Sequence, residues 1–314
     1  MGGQSATGGT TVAGPATARV LAPAKVNLFL RITGRRADGY HLLDSLMVPV
    51  DLYDELAFTI QRGGATRITL GCDRPEIPAD QRNLVHAAAE LLLAESGVTA
   101  AVHVELTKRI PAAAGLGGGS SDAAATLLAL NRLLEARHSK AQLAQWAARL
   151  GADVPFFIYG RPARVGGVGE IVTPAEGWGG IALVVAFPGV GLSTAAIYRQ
   201  YDAAGVSPHR PEVSLTNPLP ATSIAAFAGG KRPAWSMLVN DLEAVAAEAF
   251  PELRSLKKML MQLGAEGALM TGSGSAVFGV WRTRSAAEVA AGAVRERGVW
   301  AVAVQTLEIS PAAA

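Results

Sequence analysis

Lys25 and Asp153 are the two residues of this 314-residue chain whose side chains could together move a phosphoryl group. Such a transfer needs little covalent help: charge must be neutralised, the reactants aligned, and the attacking hydroxyl oriented or deprotonated. A carboxylate can take the proton while an ammonium steadies the developing charge. Each also has a plain structural reading. Lys25 alone reads as a solvated strand lysine. Asp153 follows Gly151 and precedes Pro155 and two phenylalanines, so it could simply cap the next helix.

Phosphate needs a cradle, and the stretch Pro111-Ala112-Ala113-Ala114-Gly115-Leu116-Gly117-Gly118-Gly119-Ser120-Ser121 offers one. Its glycines allow positive φ and close backbone approach to a ligand. Ser120, Ser121 and Asp122 suit a helix cap or first turn, and Leu127, Leu130 and Leu134 then recur at helical spacing. A helix start presents unpaired N–H groups and a positive dipole end to an anion. The loop is not a Walker motif, because Gly119 stands where the lysine would be. It is not a dinucleotide fingerprint either, since no further glycine follows at the required spacing. A tight strand-to-helix connection without a ligand is the alternative. No G-x-S-x-G elbow and no metal-ligand spacing is present.

The remaining candidates are spread along the chain. Asn27 lies two residues from Lys25 and on the same strand face. Tyr40-His41 leaves a basic turn, Thr33 to Gly39, and reads as a binding pair or as the start of a strand. Tyr198 could stack on a flat ligand or belong to the core. The Gly272–Ser275 loop reads as a hairpin turn or a second contact near the phosphates.

These residues need a scaffold. Val20 to Ile32 reads as a strand interrupted by Pro23, with Val26, Leu28, Leu30 and Ile32 on one face. Further strands are expected at 46–58, 66–70, 102–106, 164–172, 181–187 and 299–309. Asn83 caps a helix over 84–95 closed by Gly97, Ser139 caps one over 140–150, and Ser193 one over 194–201. Helices follow at about 235–249, 251–263 and 285–297. Residues 1–18 read as a disordered tail, and 205–233 as a long irregular connection. A composition rich in Gly, Pro and Trp at 174–180 places a boundary between domains at 19–174 and 175–314.

Composition narrows the function. Half the residues are hydrophobic and 17% charged, which fits a large globular core. A formal charge of +2 gives no reason to expect nucleic acid or a membrane surface as partner. No apolar run approaches a membrane span, and no signal peptide opens the chain. Cys72 is the single cysteine, so no internal disulfide can form. A cytoplasmic monomer or homodimer acting on a small molecule is the expectation.

The glycine stretch resembles the ATP-binding motif of the GHMP kinases, small-molecule kinases that include homoserine, mevalonate and galactose kinases. Four further segments in order sharpen the likeness: Ala22-Pro23-Ala24-Lys25-Val26-Asn27, Asp38-Gly39-Tyr40-His41, Gly151-Ala152-Asp153-Val154-Pro155, and Thr271-Gly272-Ser273-Gly274-Ser275. They are similar to the branch of that family whose acceptor is 4-diphosphocytidyl-2-C-methyl-D-erythritol. The likeness runs from about residue 20 to 309. It implies an α+β fold of two domains, the first like ribosomal protein S5 and the second ferredoxin-like. It implies ATP with Mg²⁺ as phosphate donor, and phosphorylation of the acceptor's 2-hydroxyl. By position, Lys25 and Asp153 match the catalytic pair, with Asp153 as base. Residues 111–121 match the ATP loop, and Ser121 is the candidate Mg²⁺ ligand. Asn27, Tyr40 and His41 match substrate positions, the last two near the cytidine. Thr194 and Tyr198 match a cytidine segment more loosely, because the stacking position is often Phe. Ala112 to Ala114 replace glycines of some relatives, which should stiffen the loop entrance. Another acceptor, homoserine or mevalonate, is the alternative, and Asp38-Gly39-Tyr40-His41 argues against it.

Overall fold

The computed structural model describes residues 15–205, 235 and 238–314. Two sheets carry the fold. The first has seven strands: β1 (Ala16–Arg35), β2 (His41–Arg62), β3 (Arg67–Cys72), β4 (Ala100–Thr107), β5 (Ala163–Gly167), β6 (Ile171–Pro174) and β8 (Val239–Asn240). Its main path runs β3-β4-β2-β1-β8, with β5 and β6 branching from β2. The second sheet runs β11-β7-β10-β9, made of β7 (Ala182–Phe187), β9 (Gly267–Met270), β10 (Val277–Trp281) and β11 (Trp300–Gln305).

Helices cover both sheets. Helix α1 (Leu84–Ser96) and helix α2 (Gly118–Leu133) lie against the first, with α3 (Lys140–Ala147) and α4 (Val154–Tyr159) beside them. On the second side follow α5 (Thr194–Ala203), α6 (Glu243–Ala249), α7 (Glu252–Gln262) and α8 (Arg284–Arg295). Three apolar clusters hold the layers. One lies between the first sheet and α1 to α4, around Phe58, Leu92 and Leu127. One lies beneath the helices of the second half, around Leu256, Leu260 and Val294. The third fills the space between the two sheets, where Val26, Leu28 and Val48 meet Leu183, Phe278 and Val304.

Local signals placed most elements. The Asn83 side chain accepts from the Val85 N–H, and Gly97 closes α1 at φ 63°. Ser139 and Gln142 form a capping box on α3. The Ser193 side chain caps α5.

Other expectations give way to tertiary context. Residues 16–18, expected within a disordered tail, belong to β1, where Ala16 pairs with Ile60; the rest of that expectation, residues 1–14, lies outside the described residues. Pro23 does not divide the strand; a register shift between Pro23 and Ala24 absorbs it. A second irregularity between Asn27 and Phe29 re-aims β1. Val26 and Leu28 therefore face the core between the sheets, whereas Leu30 and Ile32 enter the cluster of the second half. The strand expected over 164–172 is a hairpin of β5 and β6, turned where Gly167 and Gly169 take positive φ. The helix expected from 235 begins at Glu243; before it Val239 and Asn240 pair in parallel with Phe29 and Leu30. The irregular connection read over 205–233 lies, beyond Gly205, outside the described residues.

Candidate active site

The glycine stretch forms one wall of a cleft of about 440 Å³. Helix α2 begins at Gly118, with Gly117 in the capping position at φ 73° and no side-chain cap. Ser120, Ser121 and Asp122 thus lie within the opening turns of the helix and none is its cap. The loop is held from outside through its carbonyls. Ala113 accepts from the Leu192 N–H at 3.1 Å, Ala114 from the Ala276 N–H at 3.1 Å, and Leu116 from the Lys25 N–H at 3.0 Å. The Gly115 carbonyl accepts from Lys25 Nζ at 2.7 Å. With those carbonyls engaged, the N–H groups from Gly115 to Ser120 have no acceptor among the described residues. A row of free N–H groups at a helix start is an anion site. Gly115 cannot be replaced in this arrangement: its φ is +76°, and an added Cβ would lie 2.2 Å from the Thr271 carbonyl oxygen. Ala113 also stands at positive φ, 52°, so the alanine that replaces a glycine there is strained as well as stiff.

Lys25 is buried, 3% exposed, and its ammonium is placed by three groups. It donates to Asn27 Oδ1 at 2.6 Å and to the Gly115 carbonyl, and it lies 3.8 Å from Asp153 Oδ2. Asn27 is fixed in turn. Its Nδ2 donates to Ser45 Oγ at 2.8 Å, and its N–H donates to Thr271 Oγ1 at 3.0 Å. Burial pushes the Lys25 ammonium below its ordinary range, and the Asp153 carboxylate offsets part of that. Asp153 occupies the capping position of α4, yet its side chain makes no capping bond. Its carboxylate is left facing Lys25 with 37% of the side chain exposed. Lysine and aspartate, 128 positions apart in sequence, thus meet in front of the loop.

Across the cleft, Tyr198 and Thr194 of α5 line the wall. Thr194 Oγ1 lies 2.8 Å from Ser273 Oγ, so the second glycine loop is both the β9–β10 turn and a cleft wall. Burial, and then the negative charge of Asp153, push the Tyr198 phenol upward. Tyr40 and His41 do not line the cleft. Tyr40 is 64% exposed at the tip of the β1–β2 turn. His41 stacks on Tyr198, with centroids 4.8 Å apart, and its Nε2 lies 2.7 Å from Asp202 Oδ1. Ser121 also stays out of the cleft wall; it is buried and its Oγ has no partner among the described residues. The other predicted residues, Lys25, Asn27, Asp153, Thr194, Tyr198 and the loop from Pro111 to Ser120, all line the cleft.

Beside the loop is a charged cluster the sequence did not single out, and two of its members, Lys108 and Asp122, line the cleft. Lys108 donates to Asp122 Oδ2 at 2.7 Å and to Asp54 Oδ2, and all three side chains are buried. Burial alone would lower the Lys108 ammonium, but the two carboxylates outweigh it and raise it. Burial pushes the Asp122 carboxyl up to about 7; Lys108 opposes this and Asp54 adds to it. The available signal was Asp54, an acid on the same strand face as Leu52, Leu56 and Phe58.

Residues 83–161 match the N-terminal domain of the GHMP kinases, and residues 227–299 match their C-terminal domain. The chain is 41% identical over 280 residues to the 4-diphosphocytidyl-2-C-methyl-D-erythritol kinase of Syntrophotalea carbinolica, covering 89% of this chain and 95% of that one. It is 43% identical over 264 residues to the enzyme of the same name from Symbiobacterium thermophilum, covering 84% and 90%. The chain belongs to the GHMP kinases, and among them to the 4-diphosphocytidyl-2-C-methyl-D-erythritol kinase family. A crystal structure of a 4-(cytidine 5'-diphospho)-2C-methyl-D-erythritol kinase superposes with a TM-score of 0.75 at 39% identity, covering 92% of this chain and 99% of that one. The fold is therefore the two-domain α+β fold of these kinases. Among the described residues no helix is long and apolar enough to cross a membrane.

Proposed function

We propose that this chain transfers the γ-phosphoryl group of ATP to the 2-hydroxyl of 4-diphosphocytidyl-2-C-methyl-D-erythritol, giving the 2-phosphate and ADP for isoprenoid precursor synthesis. The observation that carries the reading is the Lys25–Asp153 pair, 3.8 Å apart, in front of a loop whose N–H groups are free. The acceptor oxygen attacks the γ-phosphorus, the bond to the β-phosphate oxygen breaks, and ADP leaves with that electron pair. Asp153 receives or orients the hydroxyl proton. Lys25 holds its ammonium toward the charge that develops on the transferring group. Residues 111–121 bind the phosphates of ATP through backbone N–H groups and the start of α2.

Asn27 holds Lys25 in register. Tyr40, His41, Thr194 and Tyr198 take the cytidine end of the acceptor. His41 acts there by its stack on Tyr198, and Tyr40 reaches the acceptor from its exposed turn. Mg²⁺ would travel on the phosphate oxygens and neutralise their charge. Ser121 is the candidate protein ligand, and its buried, unpartnered Oγ has lone pairs to give. Residues 19–174 would then supply the ATP side of the site together with Tyr40 and His41, and residues 175–314 the rest of the acceptor side through Thr194 and Tyr198.

Purified protein with ATP, Mg²⁺ and this acceptor should release ADP, measured by a coupled assay. Homoserine and mevalonate should support no comparable turnover. Turnover with either of those and none with the diphosphocytidyl alcohol would overturn the substrate assignment.

A further inference from the structure

The chemistry above makes no use of the buried charges behind the loop. Lys108 stands directly after β4, Asp54 in β2 and Asp122 in α2, and they are 8%, 0% and 2% exposed. Asp54 Oδ1 accepts from the Arg109 N–H at 2.6 Å and the Ile110 N–H at 2.8 Å, while its Oδ2 accepts from Lys108 Nζ. One carboxylate thus grips three consecutive residues at the loop entrance. Lys108 carries the link across to Asp122, four residues into the helix that leaves the loop. The ammonium lies close under that helix start, 3.3 Å from where a Cβ on Gly118 would be. Burying two carboxylates around one ammonium is poor economy for stability, because apolar side chains of similar volume fill such a space without the desolvation cost. The cluster spans both ends of the loop, and its Lys108 and Asp122 also line the cleft beside it.

We propose that Lys108, held between Asp54 and Asp122, is the positioning residue of the glycine loop. It clamps entrance and exit together, so that the N–H groups from Gly115 to Ser120 keep one arrangement before a nucleotide arrives. A loop ordered in advance loses less conformational freedom on binding, and that gain appears as affinity. The inference rests on the reading of the loop as the ATP site. It adds that ATP affinity is set through the order of the loop, by a cluster whose Lys108 and Asp122 stand at the cleft wall and whose Asp54 is fully buried.

The test is a variant that removes the charges and keeps the volume: Lys108→Met with Asp122→Leu and Asp54→Asn. Asparagine keeps an oxygen for the Arg109 and Ile110 N–H groups. The variant should fold with a melting temperature within a few degrees of the parent. Its KM for ATP should rise about tenfold, or about 1.4 kcal/mol. Its kcat at saturating ATP and its KM for the acceptor should stay within about threefold. Amide hydrogen exchange over residues 110–119 of the nucleotide-free variant should quicken; a raised ATP KM with unchanged exchange would mean that the cluster acts by touching the nucleotide and would overturn the proposal. An ATP KM within twofold of the parent in a folded variant would overturn the proposal, as would a parallel rise in the acceptor KM. Should that variant not fold, Asp122→Asn and Lys108→Arg take its place. Asp122→Asn weakens the exit clamp and should raise the ATP KM several-fold at constant kcat, whereas Lys108→Arg keeps both ion pairs and should lie between it and the parent. Equal ATP KM values in all three proteins would sink the clamp. A parent protein whose melting temperature does not respond to ATP and Mg²⁺ would instead remove the ATP reading itself.

Discussion

Replacing Asp153 by asparagine isolates the proposed base. The side chain makes no capping bond to α4 and is 37% exposed, so the fold should not notice the change. Exposed substitutions of this kind shift stability by about 0.5 kcal/mol or less, or about 2 °C in melting temperature. Catalysis should notice it twice. Loss of a general base typically lowers kcat by about 10²–10⁴-fold, a barrier increase of about 3–5 kcal/mol. Lys25 should respond as well. Two unit charges 3.8 Å apart interact by about 1 kcal/mol in water and about 4 kcal/mol at an effective dielectric of about 20. Because Asp153 is more than a third exposed, the lower end applies. Lys25 should therefore fall further below its ordinary range. The sign follows from its surroundings. Burial already lowers Lys25 and Asp153 opposes that; without Asp153 the ammonium loses its proton at lower pH. The alkaline limb of kcat/KM should then move toward neutrality. Steady-state rates from pH 6 to 10, with melting temperature as control, measure all of this. A kcat within threefold of the parent and an unmoved alkaline limb would remove Asp153 from the mechanism and refute the coupling to Lys25.

Three further outcomes test the geometry. Gly115→Ala should abolish detectable ATP binding, since the new Cβ would collide with the Thr271 carbonyl and the residue stands at φ +76°; isothermal calorimetry with an ATP analogue that shows normal affinity would disprove the cradle. Ala113→Gly should raise stability by up to about 1 kcal/mol in urea unfolding, because an alanine at φ 52° is strained; a loss of stability would mean that loop stiffness outweighs strain. Tyr198→Ala should raise the acceptor KM about tenfold through the lost stacking surface while leaving the ATP KM unchanged; equal effects on both would mean that Tyr198 only packs α5.

Much of the site was legible because its parts are local. A glycine run feeding a helix, a lysine two positions from an asparagine on one strand, and an aspartate between Gly151 and Pro155 are short patterns. Their chemistry follows from residue type and spacing. The helix ends at Asn83, Gly97, Ser139 and Ser193 were readable for the same reason, since a cap is satisfied within a few residues. The ends of β1 beyond the strand read at 20–32, and the strand at Val239, were not, because their hydrogen bonds go to residues far away in sequence.

The sequence by itself determined which side chains could do the chemistry and which backbone could hold phosphate. Only the tertiary structure decided how they meet. It brought Asp153 to within 3.8 Å of Lys25, and it turned the loop's carbonyls outward onto Leu192, Ala276 and Lys25. It set His41 behind Tyr198 and away from the cleft wall, and it gathered Lys108, Asp54 and Asp122 beneath the loop. Residue type fixes what a group can donate, accept or titrate. Distance, burial and the partners that compete for it depend on packing between segments that the chain's local patterns do not encode.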